Sequence, residues 1–272
     1  MNPIIREAKP EDRPFIEEIS RLTWGGDYLA YVFEEWVKEG GLYVLELGRT
    51  VIGTVRITVF PQRVGWMEGL RVHPDYRGRG YGKILHRFVL GVGEALFEGG
   101  KIDALEFSTQ AFNRVSVSLG TRDGFSGIGR FYNLKANVSD FEPLRPERTD
   151  LVMSDMVFGI MPLGWKFVHK SPEALEWLME RGEAYRMGSL KFLAPKVTTP
   201  DLTFTPLSVE PDIIAAMLPA MAWVAKEKGL EVFYVVLPEE LGREIPSLRE
   251  FGLQTWGDVE GPNVLVFRKE LG

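Results

Sequence analysis

The residues best suited to chemistry lie in one segment, where glycines and cations alternate between a predicted strand and a predicted helix. The segment reads Trp66-Met67-Glu68-Gly69-Leu70-Arg71-Val72-His73-Pro74-Asp75-Tyr76-Arg77-Gly78-Arg79-Gly80-Tyr81-Gly82-Lys83. Glycine lets successive main-chain N–H groups approach an anion without interference from a Cβ atom. The N-terminus of a helix adds N–H groups without partners and the positive end of the helix dipole. The segment therefore predicts a loop that binds an anion.

Basic side chains accompany this loop in a chain whose net charge is −6, and in the sequence only Asp75 opposes them: Arg71, Arg77, Arg79, Lys83 and Arg87. The loop is not a nucleotide-binding P-loop, because Lys83 is followed by Ile84 rather than by Ser or Thr. It is not the dinucleotide fingerprint either, because Leu85 stands where that motif needs its third glycine. A basic surface turn is the alternative, but the strand before the loop and the amphipathic helix after it favour a phosphate site.

The pattern Arg77-x-x-Gly80-x-Gly82 resembles the pyrophosphate loop of the GNAT N-acetyltransferase superfamily, and Leu70-Arg71-Val72-x-Pro74 resembles its fourth strand. The resemblance implies that acetyl-CoA is the co-substrate, that the loop amides hold its pyrophosphate, and that the strand pairs with its pantetheine arm. It also implies transfer of the acetyl group to an amine by direct attack in a ternary complex. The residues that it assigns to acetyl-CoA binding are Leu70, Arg71, Val72, Arg77, Gly78, Arg79, Gly80, Tyr81, Gly82, Lys83 and Asn113.

Other parts of the chain fit the same superfamily. Ile5-Arg6-x-Ala8-x-Pro10-Glu11-Asp12 resembles its opening, and Gly124-Phe125 resembles the pair that closes a late helix. Asn113 begins that helix, where the family often places an asparagine that contacts CoA. The frequent tyrosine that protonates the departing thiolate falls, however, at Gly120. Tyr132, Tyr81 or solvent is left to supply this proton, and Tyr132 is the candidate catalytic residue.

Within the superfamily, a two-domain group gives a thinner resemblance that spans the chain. Gly25-Gly26-Asp27-Tyr28-Leu29, Trp36 and the run Glu68-Gly69-Leu70-Arg71-Val72 look like the histidine N-acetyltransferase-like group of vertebrates. Ala174–Ser189 and the closing strand are distantly similar to the C-terminal domain of that group. The superfamily resemblance covers residues 3–135, and the acceptor is not carried over from the two-domain group.

Glu68 is the candidate general base, since an acceptor amine must be neutral before it can attack a thioester. It stands four positions before Val72 on the strand that is expected to pair with pantetheine. A solvated carboxylate, or one paired with an arginine, is an equally good reading of Glu68. An amide near Val72 is the expected donor to the oxyanion. His73, beside Pro74 at the end of the strand, fits a turn residue better than a base.

Candidate residues for the acceptor site lie at the start of the second predicted helix. Asp27 could bind a substrate ammonium, because the region between the first two helices shapes the acceptor site in the family. A helix N-cap is the simpler role for Asp27. Tyr28 could line the same site together with Trp24 and Trp36, although aromatic residues at helical spacing more often belong to a core.

Regular elements must hold these residues in place. Strand patterns cover 3–8, 42–47, 50–60, 64–72, 102–108 and about 126–134, and helix patterns begin near Pro10, Asp27, Tyr81 and Asn113. The order is strand, two helices, three strands, then helix, strand, helix, strand. This order predicts an α/β (α+β) chain with the GNAT fold, whose mixed and mostly antiparallel sheet is flanked by helices.

The charged, proline-containing stretch Phe141–Arg148 predicts a domain boundary. Residues 1–140 are the expected acetyl-CoA-binding catalytic domain, and residues 150–272 a smaller α/β domain. The second part has helix patterns at 172–181, 211–228 and 238–251 and strand patterns at 232–237 and 264–268. This order mimics residues 81–134 without the glycine-rich turn and predicts a degenerate GNAT-like half. That half could close the acceptor site, mediate a homodimer or cover a sheet edge.

Composition excludes several kinds of protein. The chain has no cysteine, so disulfides, a thiolate nucleophile and a cysteine-ligated zinc site are impossible, and its three histidines are not spaced as metal ligands. No metal and no nucleic-acid partner are expected of this acidic chain. A charged start and short apolar runs predict a cytoplasmic protein with no membrane contact. Five Asn, three Gln and no Cys favour a thermophilic source.

Three functions remain open at this point. The leading one is acetylation of a small-molecule primary amine, with an amino acid as one candidate. A protein or peptide N-acetyltransferase is the second, and a non-catalytic acyl-CoA-binding module is the third, to which Gly120 lends weight. The first predicts a pocket roofed by the C-terminal half, and the second predicts an open groove.

Overall fold

A computed structural model describes residues 2–23, 26–255 and 261–272. They form two compact units, Met1–Phe107 together with Arg268–Gly272, and Ser108–Phe267. This division does not coincide with the predicted boundary between 140 and 150, because strand Ser126–Asn137 pairs with Val232–Pro238 inside the second unit. The assignment of binding and catalysis to residues 1–140 and of an accessory role to residues 150–272 stays a prediction.

The first unit follows the predicted order of strands and helices. Its elements are β1 (Ile4–Glu7), α1 (Arg13–Arg21), α2 (Leu29–Glu39), β2 (Leu42–Leu47), β3 (Thr50–Phe60), β4 (Val64–Val72), α3 (Tyr81–Glu98) and β5 (Ala104–Gln110), whose last three residues belong to the second unit. The predicted bounds of β2, β3 and β4 and the predicted start of α3 are confirmed. β5 begins two residues later than predicted, because Asp103 still belongs to the turn, where its amide donates to the carbonyl of Arg63.

The strands of the first unit form a mixed sheet in the order β1-β2-β3-β4-β5, antiparallel except for the parallel pair β4 and β5. A Cβ atom at Gly53 of β3 would lie 2.8 Å from Leu85 of α3. Three positions along the same strand, the Arg56 guanidinium lies 4.6 Å from the ring of Trp36 in α2. Because side chains alternate along a strand, α3 and α2 cover opposite faces of the sheet.

Helix α3 buries one side against the sheet. The helical period predicts core positions at Ile84, Leu85, Phe88, Val89, Val92, Ala95 and Leu96. Leu85 and Val89 are buried, whereas Ile84 is 40% exposed and Ala95 is exposed as well, so the predicted core places of these two residues are wrong. The helix turns about 100° per residue, so a buried Leu85 carries the neighbouring position 84 toward the rim of that face. His86 takes a buried position instead.

The second unit begins with helix α4 and contains more strands than the sequence predicts. Its elements are α4 (Arg114–Arg122), β6 (Ser126–Asn137), β7 (Glu147–Thr149), β8 (Ile160–Leu163), β9 (Lys166–His169), α5 (Pro172–Arg181), β10 (Gly182–Met187), β11 (Leu190–Pro195), β12 (Thr203–Pro206), α6 (Pro211–Glu227), β13 (Val232–Pro238), α7 (Ile245–Glu250), β14 (Gln254–Thr255) and β15 (Val264–Glu270), whose last three residues belong to the first unit. Its main sheet has the order β15-β6-β13-β12-β11-β10-β7, β14 also pairs with β6, and β8 and β9 form a separate hairpin.

The predicted helix over 238–251 is wrong in its first half, where Glu239–Glu244 is a 3-10 helix. The α-helix begins only at Ile245, and Pro246 lies in its first turn, where no amide donor is needed within the helix.

The second unit repeats the order of elements of the first. In the first unit α2 leads into the antiparallel strands β2, β3 and β4, then α3, then β5 parallel to β4. In the second unit α5 leads into the antiparallel strands β10, β11 and β12, then α6, then β13 parallel to β12. This repetition supports the proposal of a degenerate GNAT-like half.

No helix in the described part of the chain is both long and apolar enough to cross a membrane. The same residues contain no cluster of three or more His, Asp or Glu side chains arranged to hold a metal ion. The three histidines lie apart in the chain, with His73 after β4, His86 in α3 and His169 at the end of β9.

Candidate active site

The glycine-rich loop joins the end of β4 to the start of α3. A single 3-10 turn, Pro74–Tyr76, leaves the strand, and the chain then passes through Arg77 to the helix cap at Gly80. Gly78 and Gly80 have φ angles of +77° and +86°, in the left-handed region that favours glycine. A Cβ atom at either position would meet nothing within 4 Å, so the backbone conformation, and not crowding, accounts for glycine here.

The main-chain amides of this loop are left without acceptors. Arg77 N donates to Pro74 O at 3.1 Å, and Ile84 N donates to Gly80 O at 3.2 Å. Between them, none of the six amides from Gly78 to Lys83 has an acceptor within the described residues. Four of the six residues, Gly78, Arg79, Gly80 and Lys83, are exposed, so these amides are accessible from solvent, and a run of open donors at a helix N-terminus can bind a phosphate. This arrangement supports the predicted anion site, which stays a prediction.

The basic side chains around the loop fall into two groups. Arg79, Lys83 and Arg87 are exposed and have no ion pair within the described residues. Arg79 Nη2 donates to Asp75 O at 3.1 Å, and Arg77 Nε donates to Val72 O at 3.0 Å, so both arginines also brace the main chain of the loop. The side chains of this first group can still pair with a phosphate.

Arg71 belongs to the second group, because its Nε atom lies 2.6 Å from Asp27 Oδ2. The expectation that only Asp75 opposes the cations is therefore wrong. The sequence pattern did not indicate Asp27 as a partner, because 44 residues separate it from Arg71. The Arg71 guanidinium also lies 5.6 Å from the ring of Tyr28. Arg71 thus joins β4 to the start of α2, and its predicted role in acetyl-CoA binding stays a prediction.

Strand β4 carries a bulge near its end. Arg56 pairs with Glu68 and Thr54 pairs with Arg71, so β4 has one residue more than β3 between these pairs. Gly69 sits at the bulge with a φ of +68°, and a Cβ atom there would lie 2.8 Å from the Trp36 ring. Thr54 Oγ1 donates to Gly69 O at 2.6 Å and holds the bulge in place. Bulges re-aim the groups of a strand and are common beside active sites.

On its other edge, β4 soon parts from β5. The parallel register between them runs only over Val64–Ala104, Gly65–Leu105 and Trp66–Glu106. Beyond Trp66, the described residues give β4 no partner on this edge, although the strand continues to Val72. An extended ligand arm can pair with such an open edge as an added strand. Leu70 and Val72 lie on this open part, where the predicted pairing with pantetheine would take place.

Glu68 is the partner of an arginine, which was one of its two predicted structural roles. Its Oε1 atom lies 2.9 Å from Nη1 of Arg56, and its side chain is 8% exposed. Arg56 itself is 1% exposed and also contacts Glu39, whose Oε2 lies 2.5 Å from Nη2. This buried cluster of Glu39, Arg56 and Glu68 is called the carboxylate–arginine cluster below. It keeps the candidate base in one orientation.

The acceptor-site candidates Asp27 and Tyr28 are tied to neighbouring elements. Asp27 Oδ1 accepts from the amide of Leu29 at 2.8 Å, but the N-cap residue of α2 is Tyr28, so the predicted N-cap at Asp27 lies one residue too early. Ser20 Oγ donates to the same carboxylate at 3.1 Å. Asp27 is 8% exposed, and with Arg71 beside it the carboxylate is already neutralised. The ring of Tyr28 packs edge-on against Trp36 at 5.8 Å, as a core residue would, while Trp24 lies outside the described residues.

Three further candidates lie in or near the late helix. Asn113 caps α4, where its Oδ1 accepts from Ser116 N at 3.2 Å, so the predicted start of that helix is confirmed. Gly120 is buried in α4. Tyr132 lies on β6 opposite Leu237, and its hydroxyl lies 2.8 Å from where a Cβ atom of Gly242 would be. Asn113 and Tyr132 belong to the second unit, and their roles toward acetyl-CoA stay predictions.

Two residues near the loop have clear local roles. His73 is 8% exposed, and its Nδ1 accepts from Asp75 N at 3.3 Å, which supports its predicted place as a turn residue. Tyr81 is half-buried as the first residue of α3. Its amide is among the six open donors of the loop. This main-chain contribution does not depend on the predicted role of its hydroxyl as a proton donor.

Sequence reasoning missed Arg56 and Glu39. Arg56 stands in an apolar strand pattern, where a lone arginine usually points to solvent, and Glu39 ends a helix, where a carboxylate is ordinary. The available signal was the position of Arg56 within an eleven-residue strand whose other central residues are apolar or small. Such an arginine is buried only if carboxylates meet it.

The comparisons with known proteins agree with this geometry. A family model described as the acetyltransferase (GNAT) family matches residues 10–125, which include the loop, β4 and α4. No curated protein matches the sequence.

Solved structures share the fold at low sequence identity. A proposed acetyltransferase of Thermoplasma acidophilum is 17% identical with a TM-score of 0.71, over 98% of this chain and 100% of that one. A proposed acetyltransferase of Pyrococcus horikoshii is 15% identical with a TM-score of 0.67, over 99% and 90% of the two chains. A GCN5-related N-acetyltransferase of Sphaerobacter thermophilus is 14% identical with a TM-score of 0.64, over 98% and 95%. The chain therefore has the fold of these acetyltransferases, and its residues 10–125 match the model of the acetyltransferase (GNAT) family.

Proposed function

We propose that the protein transfers the acetyl group of acetyl-CoA to a primary amine of a small molecule, by direct attack in a ternary complex. The observation that carries the proposal is the run of six open amides from Gly78 to Lys83, placed beside the unpaired edge of β4. One feature binds a diphosphate and the other binds an extended arm, and CoA contains both in that order.

The loop residues fit the diphosphate part of CoA. Six N–H donors at the N-terminus of α3 match phosphate oxygens, and the helix dipole adds a partial positive charge. Arg79, Lys83 and Arg87 add full charges at the rim of the loop. Because Arg71 is neutralised by Asp27, the binding charge comes from these exposed residues together with Arg77.

The bulged strand β4 fits the reacting end of acetyl-CoA, which is its thioester. The thioester supplies an activated acyl group when acetyl-CoA is bound. Glu68 accepts a proton from the incoming ammonium, and the neutral amine then forms the new C–N bond while the C–S bond breaks. A main-chain amide of β4 beside the bulge stabilises negative charge on the carbonyl oxygen. The thiolate of CoA leaves with a proton from Tyr81 or solvent.

The burial of Glu68 supports a small acceptor. Its side chain is only 8% exposed, so an acceptor amine must come close to a mostly buried carboxylate. A primary amine of a small molecule can do so with little other bulk to accommodate. The proposal therefore names a primary amine of a small molecule, and a peptide N-terminus is an outcome of the test.

The test is release of free CoA from acetyl-CoA in the presence of a panel of amines. The panel contains L-histidine, L-lysine, spermidine, tyramine, glucosamine and a short peptide with a free N-terminus. A thiol reagent reads CoA directly, because the protein has no cysteine of its own. We expect turnover with at least one small amine and transfer of the acetyl group to its nitrogen, checked by mass spectrometry.

The matched variants are Glu68→Gln and Glu94→Gln, the latter an exposed carboxylate on α3. Glu68→Gln should lower kcat by about 10²-fold or more, because it removes the proposed base, and Glu94→Gln should leave kcat unchanged. Turnover with the peptide alone would replace the small-molecule acceptor by a peptide. Tight binding of acetyl-CoA without release for any amine would refute the enzymatic proposal in favour of a binding module.

A further inference from the structure

The carboxylate–arginine cluster, which no sequence motif announces, lies beside the proposed reacting end of the site. We infer that Arg56 is a positioning residue that acts on acetyl transfer through Glu68, and that Glu39 holds Arg56 in the orientation this requires. The inference rests on the proposed function, because it takes Glu68 to be the general base. All three residues belong to the first unit.

The burial of Arg56 is the first argument. Its side chain is 1% exposed in the middle of β3, where an apolar residue would pack at lower cost. A buried guanidinium persists only when carboxylates and other acceptors compensate for the lost water. Here Nη1 meets Glu68, Nη2 meets Glu39, and the face of the guanidinium lies 4.6 Å from the Trp36 ring.

The geometry assigns different tasks to the two carboxylates. Glu39 ends α2 and is 26% exposed, so it lies toward the rim, whereas Glu68 is 8% exposed and lies inside. The contact with Glu39 at 2.5 Å fixes the plane of the guanidinium. That plane aims Nη1 at Glu68 Oε1 at 2.9 Å, because the two terminal nitrogens of a guanidinium are rigidly coplanar.

This arrangement has a consequence for the proton transfer. A proton acceptor must be held within hydrogen-bond reach of the group that it deprotonates. With Oε1 held by Arg56, rotation of the Glu68 carboxylate is restricted, and the carboxylate keeps one orientation toward the acceptor ammonium. Loss of Arg56 leaves the Glu68 carboxylate intact but removes the contact that fixes its orientation.

The decisive experiment is a double-mutant cycle of Arg56→Met and Glu68→Gln on kcat, with the best acceptor from the named amine panel. If Arg56 acts through Glu68, Arg56→Met should lower kcat at least about tenfold in the wild-type background and less than about twofold in the Glu68→Gln background. The acetyl-CoA Kd should change less than about twofold in each variant, since the loop amides are untouched. Equal effects in the two backgrounds would overturn the inference.

Three further variants separate positioning from stability. Arg56→Lys keeps the charge but loses the rigid fork, so it should recover part of the lost kcat and lie between wild type and Arg56→Met. Glu39→Leu should lower kcat in the same direction as Arg56→Met, with the acetyl-CoA Kd unchanged. Arg63→Met, an exposed arginine in the β3–β4 turn, should keep the wild-type kcat.

A structural readout covers the case in which Arg56→Met does not fold. A crystal structure of Arg56→Lys should show the Glu68 carboxylate moved while the main chain of β4 keeps its position. An unmoved carboxylate with wild-type kcat would refute the inference and leave the proposed function intact. Absence of turnover for wild-type protein with every amine would instead refute the proposed function, and the positioning role would fall with it.

Discussion

A single methyl group added at Gly80 tests whether the loop conformation matters for binding. Gly80 is the cap of α3 and has φ +86° and ψ −1°. A Cβ atom there would meet nothing within 4 Å, so Gly80→Ala introduces no clash. Its effect must come from the backbone, because an alanine resists the left-handed region that this cap requires.

The magnitude follows from that backbone preference. An L-residue in the left-handed conformation costs about 1–2 kcal/mol relative to the right-handed one. If the free loop leaves the binding conformation, acetyl-CoA must restore it, and Kd rises by about 5- to 30-fold. If the loop keeps its conformation, the same free energy is lost from stability instead. The two losses together should therefore amount to about 1–2 kcal/mol.

The assay combines titration calorimetry with acetyl-CoA and thermal unfolding of the free protein. Gly91→Ala is the matched control, because Gly91 lies inside the same helix and a Cβ atom there also meets nothing within 4 Å. The control should leave Kd unchanged and raise stability by about 0.5–1 kcal/mol, since glycine weakens a helix interior. Gly80→Asn should show a smaller loss than Gly80→Ala, because asparagine tolerates the left-handed region.

The result that would refute the reasoning is specific. If Gly80→Ala changes neither the acetyl-CoA Kd nor the unfolding midpoint, the left-handed cap is not needed for the binding geometry. If Gly91→Ala weakens binding as much as Gly80→Ala, a general change in α3 accounts for the loss. In both cases the six open amides would no longer explain how the diphosphate is held.

Three other predictions follow from the described contacts. Arg79→Glu and Lys83→Glu should each raise the acetyl-CoA Kd by about tenfold or more, and the increase should be smaller at high salt. Arg49→Glu, in the exposed β2–β3 turn, should leave this Kd unchanged. Equal effects of all three substitutions would contradict a local binding site. Burial alone would raise the pKa of Asp12, but hydrogen bonds from Arg6 and from the amide of Lys9 hold this pKa below its usual value, so Asp12 stabilises the fold above about pH 4 and this gain is lost as pH falls. The difference in unfolding midpoint between wild type and Asp12→Asn should therefore shrink below about pH 4, and a constant difference down to pH 3 would contradict the assignment. Calorimetry should give one acetyl-CoA per chain, because the connection from β12 to α6 has no glycine and starts its helix with Glu210, Pro211 and Asp212; a stoichiometry near two would show a second site.

Much of the first unit could be predicted from local pattern. The bounds of β2, β3 and β4 follow from the turn residues Gly48-Arg49 and Pro61-Gln62-Arg63 between apolar strand patterns. The loop and the start of α3 follow from glycine spacing, because left-handed φ angles and open amides are properties of a few consecutive residues. The anion site could therefore be predicted from the sequence alone, without knowledge of tertiary contacts.

The remainder depends on contacts between residues far apart in the chain. Arg71 meets Asp27 across 44 residues, and Arg56 meets Glu39 and Glu68 across 17 and 12. No spacing rule predicts which strand arginine will be buried, since burial depends on what the neighbouring elements bring. The short strands β10, β11 and β12 were missed for a related reason, because four to six residues carry little periodic signal.

The division of β15 between the two units has a consequence for biosynthesis. Residues 268–272 complete the first unit but are translated about 160 residues after Phe107. At typical ribosomal speeds, the nascent first unit waits roughly 8–30 s for its final segment. During that time Glu106, whose side chain is 1% exposed in the finished protein, lacks Arg268, its partner at 2.6 Å. A chaperone that shelters this incomplete intermediate, or slow growth at low temperature, should raise the yield of folded protein, and a nonsense codon before Arg268 should damage the amino-terminal unit.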